Sequence, residues 1–152
     1  MKGTSMTARK MINLAIVILG VTFFSGNAQA DVRLQEYFNS AARAVNAADD
    51  PAQKRAIFNN EFKAVSGALT AVESMPQTSD GDRAGIERYK SAILEEQNEL
   101  NGTNGYARVA DGQLNAFSHY VVQNMEQADQ MITITISVVT LLLIIIIILL
   151  LI

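Results

Sequence analysis

The feature that most constrains this chain is an apolar stretch near its C-terminus, residues 132–152, which contains no charge, no proline and no glycine. A helix rises about 1.5 Å per residue, so this stretch would span roughly 31 Å, close to the ~30 Å hydrocarbon core of a bilayer. Its first residues alternate between isoleucine and a hydroxylated side chain, a pattern typical of a strand. A lone strand in lipid, however, would leave its backbone groups unpaired. The stretch therefore predicts a transmembrane anchor over 131–152, preceded by a leader and a domain held at the membrane.

The first thirty residues have the three parts of a secretory signal peptide in their usual order. Three basic residues within the first ten precede an apolar core over residues 11–24, and residues 28–30 read Ala-Gln-Ala, a small-residue cleavage pattern. The apolar core is short for a membrane span. We therefore predict a signal peptide over 1–30 that is cut after Ala30, with an uncleaved N-terminal anchor as the alternative.

Between the two apolar ends, residues 31–130 have the apolar spacing of helices. In the first two segments apolar side chains recur at alternating intervals of four and three residues, a period typical of helices packed side by side. No segment of this region reads as a strand. The apolar positions are Leu34, Phe38, Ala41, Val45 and Ala48; then Phe58, Phe62, Val65, Leu69 and Val72; then Ile86, Tyr89, Ile93 and Leu100; and finally Val109, Ala110, Leu114, Phe117, Val121, Met125 and Ala128.

A capping pattern marks the boundary between the first two predicted helices. Asp50 suits the N-cap position and Pro51 the first helical position, because an aspartate side chain accepts from free backbone N–H groups and proline lacks one. The second helix is predicted to run to about Met75. Gly67 in this helix would let a neighbouring helix approach closely.

Turn-forming residues separate the later helices. The loop 76–82 precedes a third helix predicted over 83–100, and the Asn- and Gly-rich segment 101–105 ends it. The fourth segment is predicted to begin near Tyr106, with a bend or a delayed helix start at Asp111 and Gly112 as the alternative. Since no helix breaker follows Ala128, it is expected to continue without interruption into the membrane. The fold class is therefore all-α, an antiparallel bundle of three or four helices whose last helix becomes the transmembrane anchor.

The charge and cysteine content exclude several classes of function. Three of the 12 basic residues lie in the leader, so nine remain against 15 acidic residues, a net charge of −6 for the part after Ala30. An acidic surface argues against binding nucleic acid and against electrostatic attachment to anionic lipid. The chain has no cysteine, so disulfides, thiolate metal sites and a cysteine nucleophile are excluded.

Little in the sequence points to catalysis or to a cofactor. His119 is the only histidine and has no motif partner, so a structural or surface role is expected. Glu95, Glu96 and Glu99 form an acidic cluster; a divalent cation is conceivable there, but a solvated helix face is the stronger expectation. Metalloprotease, hydrolase and phosphate-binding motifs are absent. We expect no enzyme activity, no cofactor and no metal site.

The anchor carries one patterned feature. Thr133, Ser137 and Thr140 would lie on one face of a continuous helix. Small hydroxylated residues on one face permit close helix contact and interhelical hydrogen bonds of about 0.6 kcal/mol each, so this face could associate with another helix in the membrane. The alternative is that these hydroxyls bond the backbone of their own helix.

Together these features predict a membrane-anchored helical protein of the cell envelope, with its bundle in the periplasm or outside the cell. The expected role is structural, through a protein partner or self-assembly. The alternative is a ligand-sensing four-helix input domain that acts through a separate membrane partner. A signal peptide combined with an apolar C-terminus is also the outline of a precursor for a glycolipid anchor, but the run of small residues that this processing needs is lacking.

Overall fold

The computed structural model describes residues 34–132 and 136–151, and over these residues the protein contains five α-helices and no strand. The elements are α1 (Leu34–Ala47), α2 (Pro51–Glu73), α3 (Asp80–Asn101), a 3₁₀ helix (Asp111–Gln113), α4 (Leu114–Ile132) and α5 (Val138–Leu151). The predicted all-α class is confirmed. The predicted signal peptide, 1–30, lies outside the described residues.

The first four helices form a closed bundle. Each contacts the next along the chain, and α4 returns to pack along α1. The connections from α1 to α2 and from α2 to α3 are short, which makes successive helices antiparallel neighbours. Helix α5 lies outside this ring, where it packs against α2.

The core consists of the predicted apolar faces. Every predicted apolar position of the first three helices is buried, as are Leu114, Phe117, Val121 and Met125 of α4. Phenylalanine rings tie the helices together at the centre: the rings of Phe58 and Phe62 are 5.7 Å apart, and Phe58 meets Phe117 edge-on at 5.6 Å. Burying a side chain of this size contributes about 1.5–3 kcal/mol, so this apolar contact is the main source of the bundle's stability.

Side-chain caps fix where α2 and α3 begin. The Asp50 carboxylate accepts from the Ala52 N–H at 3.0 Å and Pro51 is the first residue of α2, which confirms the predicted start. Helix α3 begins at Asp80, three residues earlier than predicted. The reason is Ser79, whose hydroxyl accepts from the Asp82 N–H at 3.1 Å and so caps the helix well ahead of the first apolar position, Ile86.

Helix α3 ends where the Asn- and Gly-rich segment predicted. Gly102 is its C-cap, with a left-handed φ of +69°. A Cβ atom at this position would lie 2.6 Å from the Cβ of Arg108, so a larger residue would clash as well as strain the backbone.

Helix α4 does not begin near Tyr106 but at Leu114, after the 3₁₀ turn, which agrees with the alternative of a start delayed at Asp111 and Gly112. The preceding backbone is held in an extended course by Arg55 of α2, a buried arginine. Its guanidinium donates to the Leu100 carbonyl at 2.7 Å, to the Val109 carbonyl, and to the Asp111 carboxylate at 2.7 Å. These contacts fasten the residues just before α4 to α2.

The predicted continuous helix from the bundle into the anchor is not seen in the described residues. Helix α4 ends at Ile132, the backbone bends at Ile136, and α5 begins at Val138. The physical reason is Ser137, a polar residue that caps the new helix. Its hydroxyl accepts from the Thr140 N–H at 3.1 Å, while its own N–H donates to the Asp82 carboxylate at 2.5 Å.

Candidate functional site

Helix α5 is apolar on every side and therefore has no polar face to present to water. Thr140 is its only polar side chain, and the rest are valine, leucine and isoleucine. Ile144 and Ile148 are buried with the bundle core, at 0% and 2% exposure. Five large apolar side chains remain exposed, at 39% to 79%: Val139, Ile146, Leu149, Leu150 and Leu151. A helix of this composition is typical of a buried or membrane-inserted position, and docking on α2 buries only part of its apolar surface.

Gly67 of α2 lies beside the end of the docked helix. A Cβ placed on Gly67 would be 3.6 Å from Cδ1 of Leu151, an ordinary van der Waals distance. The predicted approach of a neighbouring helix at Gly67 is therefore seen, although an alanine would also fit the contact.

A buried carboxylate fastens the start of α5 to the bundle. Asp82 is 4% exposed and serves two helices: one oxygen accepts from the Ser79 hydroxyl at 2.6 Å, and the other from the Ser137 N–H at 2.5 Å. Burial alone would raise the pKa of Asp82, but the hydrogen bonds from Ser79, Ser137 and Thr140 outweigh it and hold the pKa below its ordinary value. A negative charge at two helix N-termini also complements both helix dipoles.

The predicted association face is only partly described. Thr133 lies outside the described residues. The Ser137 and Thr140 hydroxyls lie 2.8 Å apart and hydrogen-bond to each other, and Thr140 is buried. In the docked arrangement these two hydroxyls are used within the cap of α5. Association of the face with another helix in a membrane stays a prediction.

A second feature lies between α3 and α4, where a pocket of about 310 Å³ opens beside Glu96. The expectation that the acidic cluster is a solvated face is wrong for Glu96, whose side chain is 4% exposed. One carboxylate oxygen accepts from the Asn124 amide at 2.6 Å, whereas Oε2 has no partner within the described part of the chain. The pocket is lined by Arg88, Ala92, Glu95, Glu96, Tyr120, Asn124, Gln127 and Ala128.

The pKa of Glu96 depends on these surroundings. Burial raises the pKa of Glu96 to about 7, although the hydrogen bond from Asn124 opposes the change. The neighbouring carboxylates Glu99 and Glu95 raise the pKa further by repulsion. Glu95 itself is exposed and accepts from the Tyr106 hydroxyl at 2.9 Å. The carboxyl of Glu96 is therefore poised to change charge near neutral pH.

Two further polar features lie away from this pocket, the Tyr37–Glu61 pair and His119. Tyr37 of α1 donates its hydroxyl to Glu61 of α2; burial, with the charge of Glu61, raises the pKa of the tyrosine, and burial likewise raises the pKa of Glu61. This pair joins α1 and α2 and does not line the pocket beside Glu96. His119 is exposed, in keeping with the predicted surface role.

Sequence reasoning missed Arg55, Asp82 and Glu96 as buried charged residues. For Asp82 a signal was present, since Ser79 followed three residues later by an acidic side chain is a capping pattern. For Glu96 the signal was its position three residues after Ile93, on the apolar side of α3. Arg55 likewise lies three residues before Phe58 on the buried face of α2.

Among the described residues, no group of three acidic or histidine side chains is arranged to hold a metal ion. Within residues 34–132 and 136–151, no helix combines the length and the hydropathy that crossing a membrane requires. Comparisons with protein-family models, with curated proteins and with solved structures give no match for this chain.

Proposed function

We propose that this chain is a membrane-anchored helical interaction protein of the cell envelope, and that α5 belongs to the anchoring segment. The observation that carries this proposal is the apolar surface of α5, which keeps five large side chains exposed when docked. Residues 132–152 contain no charge that would oppose insertion. In this proposal the segment lengthens into a helix over 132–152 when a bilayer is present, and the docked form is its position in the absence of lipid.

Burial of the exposed apolar side chains of α5 in a bilayer would favour insertion. Each exposed leucine or isoleucine gains about 1.5–3 kcal/mol when it is fully buried, so five partly exposed side chains offer on the order of 5 kcal/mol. The cost includes the hydrogen bond from Ser137 to Asp82 and the exposure of the α2 surface that α5 covers. A typical hydrogen bond contributes only about 0.5–1.5 kcal/mol, so the polar contact does not outweigh the apolar gain.

Departure of α5 would also uncover a surface on α2 for a partner. The side chains of Ile144 and Ile148 are part of the bundle core while α5 is docked. The groove they leave is apolar and suits a helix of a protein partner or of a second copy. A role in structure or interaction follows from this surface, and the acidic charge of the bundle gives no support to nucleic acid as a partner.

The oligomeric state in membranes tests the interaction role. If Thr133, Ser137 and Thr140 form the association face, replacing all three by leucine should leave the chain membrane-bound but weaken the oligomer by about 1–2 kcal/mol. Crosslinking at a low protein-to-lipid ratio measures this. An oligomer unchanged by the triple substitution would mean that the chains associate through the bundle. A monomeric wild-type chain would contradict self-assembly and favour a separate protein partner.

The proposed location rests on the leader. A signal peptide cut after Ala30 would place the bundle in the periplasm or outside the cell. The first residue of the mature protein is then Asp31, which N-terminal sequencing of the membrane fraction measures. A chain that still begins at Met1 would contradict the cleavage and favour an uncleaved anchor.

A second proposed function, ligand sensing, is favoured by the pocket beside Glu96. A hollow between α3 and α4 that contains a buried carboxylate with an unused oxygen is a place where a ligand could change how the two helices pack. The ligand-bound bundle would then act through a membrane partner.

A further inference from the structure

One residue that lines the pocket between α3 and α4 has an unsatisfied carboxylate oxygen. Glu96 lines the pocket and is 4% exposed, and its buried Oε2 atom has no hydrogen-bond partner in the described part of the chain. Asn124 supplies a donor to Oε1 only. A buried carboxylate oxygen that has no hydrogen-bond partner costs free energy in either protonation state. A ligand that donates a hydrogen bond to this oxygen would remove that cost.

We infer that this pocket binds a small organic cation with a single primary ammonium group, held by an ion pair and hydrogen bond to Glu96. This inference rests on the second proposed function, because it names the ligand class of that pocket. An ammonium group supplies both the missing N–H donor and the charge that compensates a buried carboxylate.

The other lining residues restrict the ligand to one charge and a short apolar body. Arg88 and Glu95 are exposed residues of opposite charge at the pocket, so their effects on an entering ion largely cancel. The methyl groups of Ala92 and Ala128 and the ring of Tyr120 offer apolar contact, and an aromatic face also attracts a cation. The volume of about 310 Å³ suits a small organic molecule.

A bare metal ion fits the pocket less well. Calcium takes six or more oxygen ligands, whereas no cluster of three metal-binding side chains is found among the described residues. The amides of Asn124 and Gln127 and the ring of Tyr120 instead suit an organic ligand.

Binding should be linked to proton release. The ionisable groups that line the pocket are Glu95, Glu96 and Arg88 on α3 and Tyr120 on α4, while Glu99 adds negative charge from the same helix as Glu96. The cation binds ionised Glu96, so protonation of this carboxyl competes with it. Affinity should therefore be about tenfold weaker at pH 6 than at pH 8, on either side of the pKa.

The test uses the full chain in nonionic detergent micelles, with n-butylammonium as the probe and n-butanol as a neutral control. We expect the ¹³C-detected titration midpoint of the Glu96 carboxyl to move to lower pH as butylammonium is added, and not with butanol. Glu96→Gln should weaken binding at pH 8 at least tenfold, the size of a charge-assisted hydrogen bond. Glu87→Gln, the same change at an exposed position of α3 outside the pocket, should bind as the wild type does.

The titration of the unmodified chain keeps the test valid if a variant folds poorly. A Glu96 midpoint that does not move at saturating butylammonium would overturn the inference, as would equal binding by the Gln variant. A pocket that takes a neutral or anionic compound instead, with an altered α3–α4 packing, would overturn the ligand class while leaving ligand sensing in place.

Discussion

Two buried charged residues, Arg55 and Glu96, have opposite hydrogen-bonding situations. Arg55 donates to two backbone carbonyls and to Asp111, so its guanidinium is surrounded by acceptors. Glu96 has a partner for one oxygen only. Arg55 is therefore expected to stabilise the fold, whereas ionised Glu96 is expected to destabilise it.

Replacing Arg55 by methionine should lower the free energy of unfolding by about 2–4 kcal/mol, because the carbonyls of Leu100 and Val109 lose their donor inside the protein. Urea denaturation followed by circular dichroism measures the change. Arg108→Met is the matched control, since Arg108 is exposed and reaches the same Asp111 only at 4.0 Å. Similar losses in the two variants would contradict the role given to Arg55.

Glu96 should make the bundle less stable as the pH rises through neutrality. Its pKa is about 7 in the folded chain against an ordinary value of 4.5, so the folded state binds more protons between these limits. The unfolding free energy should therefore fall between pH 5 and pH 8, by up to about 3 kcal/mol from this group. The lowered pKa of Asp82 acts in the opposite sense, but only at pH values below the ordinary range of its carboxyl.

The difference between variants isolates this contribution. Glu96→Gln should flatten the pH dependence and be more stable than the wild type at pH 8, by about 1–3 kcal/mol. Glu61 also has a raised pKa and adds its own dependence, which both chains share. Glu87→Gln should keep the wild-type slope. A Glu96→Gln chain with an unchanged slope would refute the raised pKa.

At the scale of helices, the sequence predicts what the apolar period encodes and misses what a few polar contacts decide. The buried faces of α1, α2 and α3 follow from apolar spacing, because each of these helices has a single apolar face. The start of α4 does not follow from apolar spacing, because the delay to Leu114 depends on Arg55, which is distant in sequence. The division between α4 and α5 similarly depends on Asp82 capturing the Ser137 N–H.

The docked position of α5 could not be predicted from its own residues. A helix with apolar side chains all round has no periodic face, so the pattern does not say which side packs against α2. The Glu96 pocket was missed for a related reason: a glutamate reads as a surface residue unless its position relative to Ile93 is considered. The apolar pattern therefore predicts the helices of the bundle but not its buried charges.

A crosslink between α2 and α5 should report whether the helix is docked. Gly67→Cys with Leu151→Cys places two thiols at the described contact, and the chain has no other cysteine. We expect a short bis-maleimide reagent to join them within one chain in solution, and the yield to fall several-fold when lipid vesicles are added. The single-cysteine variants reveal any product between chains. A yield that vesicles do not change would mean that α5 stays on the bundle.

At the scale of the whole molecule, the chain combines a four-helix bundle with an apolar segment that the bundle covers only in part. The ring of α1 to α4 closes without α5, since α4 packs along α1. The bundle is therefore expected to keep its fold whether α5 is docked or inserted. The central claim is that the segment 132–152 enters the bilayer while the bundle stays outside.

Depth-dependent fluorescence quenching tests this claim most directly, because the chain has no tryptophan and one introduced residue gives the entire tryptophan signal. Ile146→Trp places the probe on the exposed side of α5, and Tyr120→Trp places a matched probe on the exposed side of α4. In phosphatidylcholine vesicles with brominated acyl chains, we expect the probe at 146 to be blue-shifted and strongly quenched and the probe at 120 to be unaffected. Equal emission of the probe at 146 with and without bromine would contradict membrane anchoring by this segment.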